Sequence, residues 1–434
     1  MGTVMLGGGL AAMSLAHELK QGPITILEKE DRPGGLARSF PFQGIYHDAG
    51  PHIVFSRDQA VLSFMHELMG AGRQQIRRSN RIFHDGRFIK YPLENDLGSL
   101  SPSDRDHCLR TFLKNPYEEL PATNMAGFFL KTFGEGLSNL YLLPYNKKIW
   151  KFEPVMMDLQ MVERIPKPPR EDVVKGARGE ATEGYTHQLY FSYPAQGGLN
   201  TFLGAYQERI KDKAEILTSH AVTKVLPLSG GRFRVEAGGQ TLEADRLINC
   251  MPLHELLPAL PEVPPDVAQA WGRLKYNSIA IVMLDVAKEF VGDNYAVMIA
   301  DPSCITHRIS KLSFLGPGYA VEGGTVLMAE VTYPPDGDVG TMTDDALAAR
   351  VAQDLGRAGL IDAASVRAST VRRFPYAYVI YDLTHRQNTD KVLGWLRSIG
   401  IRCNGRFATF EYLNMDQIIG ASMKLARELN EEHS

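Results

Sequence analysis

The residues best suited to chemistry begin almost at the first position. Gly7-Gly8-Gly9-Leu10-Ala11-Ala12 fits the fingerprint G-x-G-x-x-G/A, with Ala12 as the third small residue. Gly7 makes a tight turn, Gly9 bares the backbone to a pyrophosphate, and Ala12 lets a helix pack closely on a strand. The amides at Leu10 and Ala11 then lie at the positive end of that helix, where phosphate is held. Glu28 stands 19 residues after Gly9. Its carboxylate can accept hydrogen bonds from ribose hydroxyls, and an acid there favours a free ribose over a 2′-phosphate. The elements that must position these groups are legible nearby. Residues 3–6 read as a buried strand, 10–20 as a helix with Leu10, Met13, Leu15 and Leu19 apolar, and 24–27 as a second buried strand. Together they make a β-turn-α-β unit.

Further along the chain the pattern changes twice. Residues 58–190 read as mainly helical, with 61–69 and 127–143 as examples. From 214 to 249 strands dominate: 221–226, 232–236, 241–243 and 246–249, with glycine turns at 229–231 and 238–239 as in a meander. Five prolines between 252 and 265 mark a crossing between lobes. Residues 278–285 and 325–332 read as strands of a second sheet, and 343–356 and 414–431 as helices. The 434 residues are 44% hydrophobic, and 47 basic against 50 acidic residues give a net charge of -3. That balance gives no electrostatic case for nucleic acid or an anionic membrane as the main partner. No run reaches the ~20 apolar residues of a membrane helix. The first residues run straight into a strand without the parts of a signal peptide, and the four cysteines (Cys108, Cys250, Cys304, Cys403) have no metal or redox spacing. A cytoplasmic protein with buried, inert thiols is the expectation. His187, His254, His307 and His385 show no ligand spacing either, so no metal is expected.

After Glu28 comes Lys29-Glu30-Asp31-Arg32-Pro33-Gly34-Gly35-Leu36-Ala37-Arg38. Its two glycines allow a second close backbone approach, and Arg38 can meet a phosphate or flavin carbonyl. This run resembles the loop that follows the ribose-binding acid in the flavin amine oxidase superfamily. Gly405-Arg406-Phe407, leading into Asn414-Met415-Asp416-Gln417, resembles that superfamily's second contact with FAD. The resemblance implies FAD as cofactor, held by Lys29, Gly35, Leu36, Ala37, Arg38, Val222, Gly405, Arg406, Asn414, Met415 and Gln417 in addition to the fingerprint residues. It also implies an α/β fold with a discontinuous Rossmann-type, glutathione-reductase-like FAD-binding domain (1–75, 195–265, 390–434). A mainly helical lobe (76–194) and an antiparallel-sheet substrate lobe (266–389) complete the expected organisation.

The substrate side resembles the UDP-galactopyranose mutases. Asp48-Ala49-Gly50-Pro51-His52-Ile53-Val54-Phe55-Ser56 is similar to their histidine loop, Tyr91-Pro92-Leu93-Glu94-Asn95 to their Tyr-Pro-Phe-Gln-Asn, and Pro144-Tyr145-Asn146-Lys147-Lys148-Ile149-Trp150 to their Pro-Tyr-Asn-x-x-Val-Trp. Arg164, Tyr185, Arg308, Tyr378 and Tyr412 follow in the family's order. The resemblance implies catalytic roles for His52, Arg164 and Arg308, and substrate contacts from Tyr91, Tyr145, Asn146, Trp150, Tyr185, Tyr378 and Tyr412. It implies a sugar-nucleotide substrate whose diphosphate two arginines clamp and tyrosine hydroxyls contact. In that family reduced flavin N5 attacks the anomeric carbon and displaces the nucleoside diphosphate, interconverting pyranose and furanose rings. Three departures suggest a different sugar or nucleotide, or ordinary flavin redox chemistry: Asn277 where many bacterial mutases have arginine, Glu94 for glutamine, and Asn414 for aspartate. The alternative is an FAD-dependent oxidoreductase of the amine oxidase or protoporphyrinogen oxidase type, acting on a glycoside or secondary metabolite. NAD(P)H is a candidate external reductant.

Overall fold

The computed structural model describes residues 2–20, 22–162, 165–184 and 189–432. A five-stranded parallel sheet forms one centre, in the order Ile401–Cys403, Arg246–Asn249, Thr3–Leu6, Ile24–Leu27, Ala214–Leu217. Parallel strands are covered on both faces and so need near-continuous apolar sequence. Thr3–Leu6 is buried at every position, and the helix Leu10–Glu18 and the C-terminal helix Met415–Glu431 pack together against this region. The α/β architecture expected from the sequence is thus the observed one. A three-stranded meander, Val222–Pro227, Phe233–Ala237 and Gln240–Ala244, precedes the return strand Arg246–Asn249.

The second centre is a seven-stranded sheet, ordered Val366–Ile380, Lys275–Val286, Thr325–Tyr333, Arg308–Lys311, Ala296–Ile299, Asn80–His84, Arg87–Lys90. It is antiparallel except where Ala296–Ile299 runs parallel to Asn80–His84. Its middle is deeply apolar: ten successive residues of Lys275–Val286, from Asn277 onward, are buried.

The segment 58–190 is mainly helical, but it also holds strands that its apolar spacing did not mark. Arg73–Arg77 pairs with Tyr190–Pro194, and Asn80–His84 and Arg87–Lys90 extend the large sheet. These strands are short and rich in arginine, and their buried anchors, Ile82 and Ile89, are single residues rather than apolar runs. Pairing with an existing sheet edge overrides weak local preference.

The helical part of that segment supplies Leu143–Trp150, entered through a π-helical turn at Ser138–Leu142. Such wide turns shift the phase of the side chains that follow. Among the described residues, no helix is long and apolar enough to cross a membrane, and no group of three or more His, Cys, Asp or Glu side chains is placed to hold a metal ion.

Candidate active site

The first glycine turn opens onto a cleft of about 800 Å3. Gly7 has φ +93°, a conformation that favours glycine, and its amide donates to Leu27 O at 2.8 Å. Gly9 precedes the helix Leu10–Glu18 with no side-chain cap, so that helix's first amides remain available. The second glycine pair folds back onto the first: Gly34 N donates to Gly8 O at 2.8 Å, and a Cβ on Gly35 would lie 3.3 Å from Gly9 Cα. A Cβ on Gly9 would meet nothing nearer than Gly35 Cα at 4.0 Å. The space before Gly9 is therefore a backbone-lined cradle rather than a packed turn.

Glu28 is buried at the cradle's edge, where its carboxylate accepts from the amides of Gly8 and Glu30, both at 2.9 Å. Two carboxylate oxygens offer about four acceptor positions, so capacity remains for sugar hydroxyls. Val222, Met251 and Pro252 line the same cleft, and Lys29, also lining it, is engaged with Glu255 at 2.7 Å. Arg38 donates from Nε to Gly35 O and from Nη1 to Arg32 O, at 3.2 and 3.4 Å, and so ties the loop down while lining the cleft.

Across the cleft, Gly405 (φ +110°) sits so close to the first helix that a Cβ there would come 2.7 Å from Ala11 Cβ. The next helix, Met415–Glu431, starts at the cleft with a reciprocal cap. Asn414 accepts from the helix backbone, and Gln417 Oε1 accepts from Asn414 N at 2.9 Å.

A second cavity of about 810 Å3 adjoins this cleft. Leu36, Pro51, His52, Phe55, Arg406 and Asp416 line both, and they mark the seam. Arg406 lies 4.4 Å from the Tyr412 ring centre and 5.3 Å from that of Tyr378. Those two rings stack at 5.9 Å, and Trp150 meets them edge-on at 5.6 and 5.9 Å. The Nε and Nη2 of Arg406 are buried with no partner among the described residues. A buried guanidinium with unused donors is costly unless an anion completes it.

Arg308 is in the opposite condition. Its Nε and Nη2 form a two-pronged pair with Glu330 at 2.5 and 2.7 Å, across directly opposed positions of neighbouring strands. Glu330 is fully buried, so the pair is held rigidly and the charge of Arg308 is largely answered.

His52 stands between these cations. Its Nδ1 has no partner among the described residues, and burial, then Arg406, then Arg308, lower its pKa to about 4. It is a neutral imidazole at physiological pH. Burial and then the Glu330 charge raise the Tyr378 phenol, so Tyr378 stays protonated and able to donate.

The sequence-predicted residues fall into groups. Gly7, Gly9, Leu10, Ala11, Glu28, Lys29, Gly35, Leu36, Ala37, Arg38, Val222, Gly405, Arg406, Asn414 and Met415 all line the cleft. Gln417 lines the chamber, as the partner in the helix cap. His52, Tyr91, Asn146, Trp150, Arg308, Tyr378 and Tyr412 line the chamber. Asn146 is turned to scaffolding: its Oδ1 accepts from Trp150 Nε1 and its Nδ2 donates to Leu142 O. Tyr145 is not part of the chamber wall as described; it stacks on Tyr141 at 5.1 Å behind it. Arg164 and Tyr185 lie outside the described residues.

The three departures have local explanations. Asn277 is buried and its Nδ2 donates to Ile149 O and Trp150 O, closing the end of the helix Leu143–Trp150. Glu94 is buried outside the chamber wall, and burial pushes its pKa up to about 7. Asn414 is the helix cap.

Sequence reasoning missed Glu330, Arg78, Tyr295 and Asp416, which pair with or line the site. Asp416 accepts from Ser56 Oγ at 2.7 Å. Asp416 lay inside the quoted run 414–417, and the arginine-rich run at 77–81 carried a linear signal whose alternation onto the chamber depends on the strand pairing.

A glycine-built dinucleotide cradle, a buried ribose-side acid and a second chamber at the cleft's inner end define a flavin-dependent enzyme. The chain matches the flavin containing amine oxidoreductases over residues 9–391 and belongs to that family. The fold is similar to that of reduced UDP-galactopyranose mutase, with a TM-score of 0.88 at 21% identity over 99% of this chain and 94% of the other. It is also similar to a protein assigned as protoporphyrinogen oxidase from Exiguobacterium sp. 255-15, with a TM-score of 0.79 at 16% identity over 100% and 99% of the two chains. Among curated proteins it is 21% identical to coproporphyrinogen III oxidase of Staphylococcus aureus (strain NCTC 8325 / PS 47) over 464 residues, covering 98% of each. Family and fold imply FAD. The uncapped amides, the room before Gly9 and the spare acceptor capacity of Glu28 fit that cofactor.

Proposed function

We propose that the chain is a sugar-nucleotide mutase of the pyranose–furanose type, working on reduced FAD. The observation that carries this reading is Arg406, a half-buried arginine whose buried Nε and Nη2 have no partner among the described residues and whose guanidinium lies against two stacked tyrosine rings at the seam of cleft and chamber. An amine substrate would be repelled there, whereas a diphosphate completes the site. When bound and reduced, FAD supplies the nucleophile for the sugar's anomeric carbon. The chain's own residues orient and hold charge. Arg406 takes the negative charge that grows on the departing nucleoside diphosphate, Tyr378 and Tyr412 offer hydroxyls beside it, and Trp150 supports their rings. Arg308, fixed by Glu330, keeps its remaining N–H groups for orientation rather than bulk charge. His52, neutral, can hold or pass a proton at the seam without adding a cation.

The test is an anaerobic screen of nucleotide sugars against dithionite-reduced protein, with products separated by chromatography. Ring-contracted product from reduced but not oxidised enzyme supports the reading. Stoichiometric consumption of oxygen or another acceptor during turnover refutes it.

A second reading, an oxidase acting on a carboxylated tetrapyrrole or a glycoside, draws on the same chamber cations and on the oxidase relative. Anaerobic bleaching of the flavin by substrate, one equivalent per site, would select it. NAD(P)H as reductant is a further proposal, checked by the rate at which each nucleotide bleaches the flavin.

A further inference from the structure

The chamber has a side pocket of about 300 Å3, and Arg78, Asn80 and Tyr91 line both spaces. Arg77, Arg81 and Lys90 complete its cationic wall. The fold creates this density of charge. Residues 77–81 pass from one strand, Arg73–Arg77, into the next, Asn80–His84, where Arg81 pairs directly with Lys90. Like charges opposed across strands are unfavourable unless something answers them.

Among the described residues of the wall, the one carboxylate is Glu183, whose Oε1 is shared by Arg77 Nη2 and Lys90 Nζ, each at 2.9 Å. Four cations thus face one acid in a concave site, which concentrates positive potential. Arg78 lies over the Phe55 ring at 5.1 Å; burial lowers its pKa, Tyr91 and Tyr295 act against that, and Arg308 adds to it. At the junction, Asn80 Oδ1 is buried with no partner among the described residues. It calls for a donor such as a sugar hydroxyl.

We propose that this side pocket binds a second anionic group of the substrate: a phosphate monoester on the ribose of the nucleotide whose diphosphate Arg406 holds. The proposal rests on the nucleotide-sugar reading above. The ribose lies at the Asn80–Tyr91 junction, its free hydroxyl donating to Asn80 Oδ1, and its phosphate faces Arg77, Arg78, Arg81 and Lys90. The substrate class becomes a ribose-phosphorylated nucleotide sugar.

The experiment titrates FAD-loaded, reduced protein by calorimetry. The probes are adenosine, guanosine and uridine 5′-diphosphates, each against the same nucleotide carrying a further 2′- or 3′-phosphate. For at least one base, the extra phosphate tightens binding at least about tenfold, the value of one good charge-assisted contact. In the Arg77→Gln/Arg81→Gln variant that gain shrinks below about threefold while FAD content and melting temperature stay as in the parent. Both arginines are on strand rims and the pocket is open, so the variant is expected to fold, and FAD content verifies it. Equal affinity for both forms in the parent, or an undiminished gain in the variant, overturns the side pocket alone. Failure of every nucleotide to bind overturns the nucleotide-sugar reading and this proposal with it.

Discussion

The dinucleotide cleft and the chamber beside it are built from different materials. The cleft is made largely of backbone: glycines at positions 7, 9, 34, 35 and 405 bring main-chain amides and Cα atoms to within contact, and Glu28 is buried at its edge. The chamber is made of side chains delivered from a helix, several strands and the C-terminal loop. In the first region geometry decides what binds. In the second, the state of each charge decides: Arg308 already has Glu330, whereas two nitrogens of Arg406 have no partner among the described residues. Two arginines of one cavity are therefore not equivalent, and counting cations would misjudge it.

The sharpest way to break that distinction is to remove Arg308. Arg308→Met leaves Glu330 buried and uncompensated, which is expected to cost about 3–5 kcal/mol of folding stability. Adding Glu330→Gln to the same chain should recover most of the loss. Urea unfolding of the two variants and the parent measures both steps. An Arg308→Met protein as stable as the parent would show that the pair carries no such weight. Arg406→Met, by contrast, leaves no carboxylate partner behind and is expected to hold or raise stability while weakening anionic ligands.

The cleft responds the other way round, through ligand rather than fold. Alanine at Gly9 has an ordinary φ of −74° and no neighbour closer than 4.0 Å, so the apo-protein should melt as the parent does. Its methyl occupies the cradle, and FAD affinity should fall at least about 100-fold, or ~2.7 kcal/mol. Fluorescence titration of apo-protein with FAD tests this. Unchanged affinity would mean that the pyrophosphate does not approach Gly9.

The same contrast explains what could be read in advance. A backbone-built site needs particular residues at fixed short spacings, so Gly7 through Ala12 and Glu28 announce it within 28 positions. The chamber's Glu330, Arg78 and Tyr295 have no such spacing; strand register alone brings Glu330 opposite Arg308. The strands at 80–90 were hidden for a related reason: isolated buried isoleucines among arginines form no pattern until a sheet edge is present to receive them. Asn146 shows the limit of motif matching, since it sits at the expected position and yet spends its polar atoms on Trp150 Nε1 and Leu142 O.

A smaller effect separates the chamber's lining from its backing. Glu94 lies behind the wall, and burial raises its carboxyl to about 7 from an ordinary 4.5. The folded state therefore favours the protonated acid. Glu94 costs little below pH 4.5, and its burden grows as pH rises to about 7 and is complete above it. Glu94→Gln should accordingly stabilise the protein more at pH 8 than at pH 5, by ~2 kcal/mol, less than the full linkage value because part of the burden is already present at pH 5. Melting curves at the two pH values decide it; a pH-independent difference would place Glu94 in solvent or in a permanent ion pair.

The last and smallest effect lies at the seam, where the two regions act on one group. His52 has its pKa lowered to about 4 by burial, Arg406 and Arg308 in that order. A depressed histidine pKa means the unfolded chain binds the proton more readily. His52 therefore takes stability away as pH falls from 6.5 toward 4, and nothing above that range. Its ring should show no protonation between pH 8 and pH 5.5 in a nitrogen-detected NMR titration of the ligand-free, FAD-loaded protein. An anion placed against Arg406 screens one of the three causes, so saturating pyrophosphate should shift the His52 midpoint upward while His47, whose depression comes from burial and Arg372, stays near 4. A His52 midpoint indifferent to pyrophosphate would mean that Arg406 serves the cleft alone, and the chamber would then lose the unpaired cation that distinguishes it.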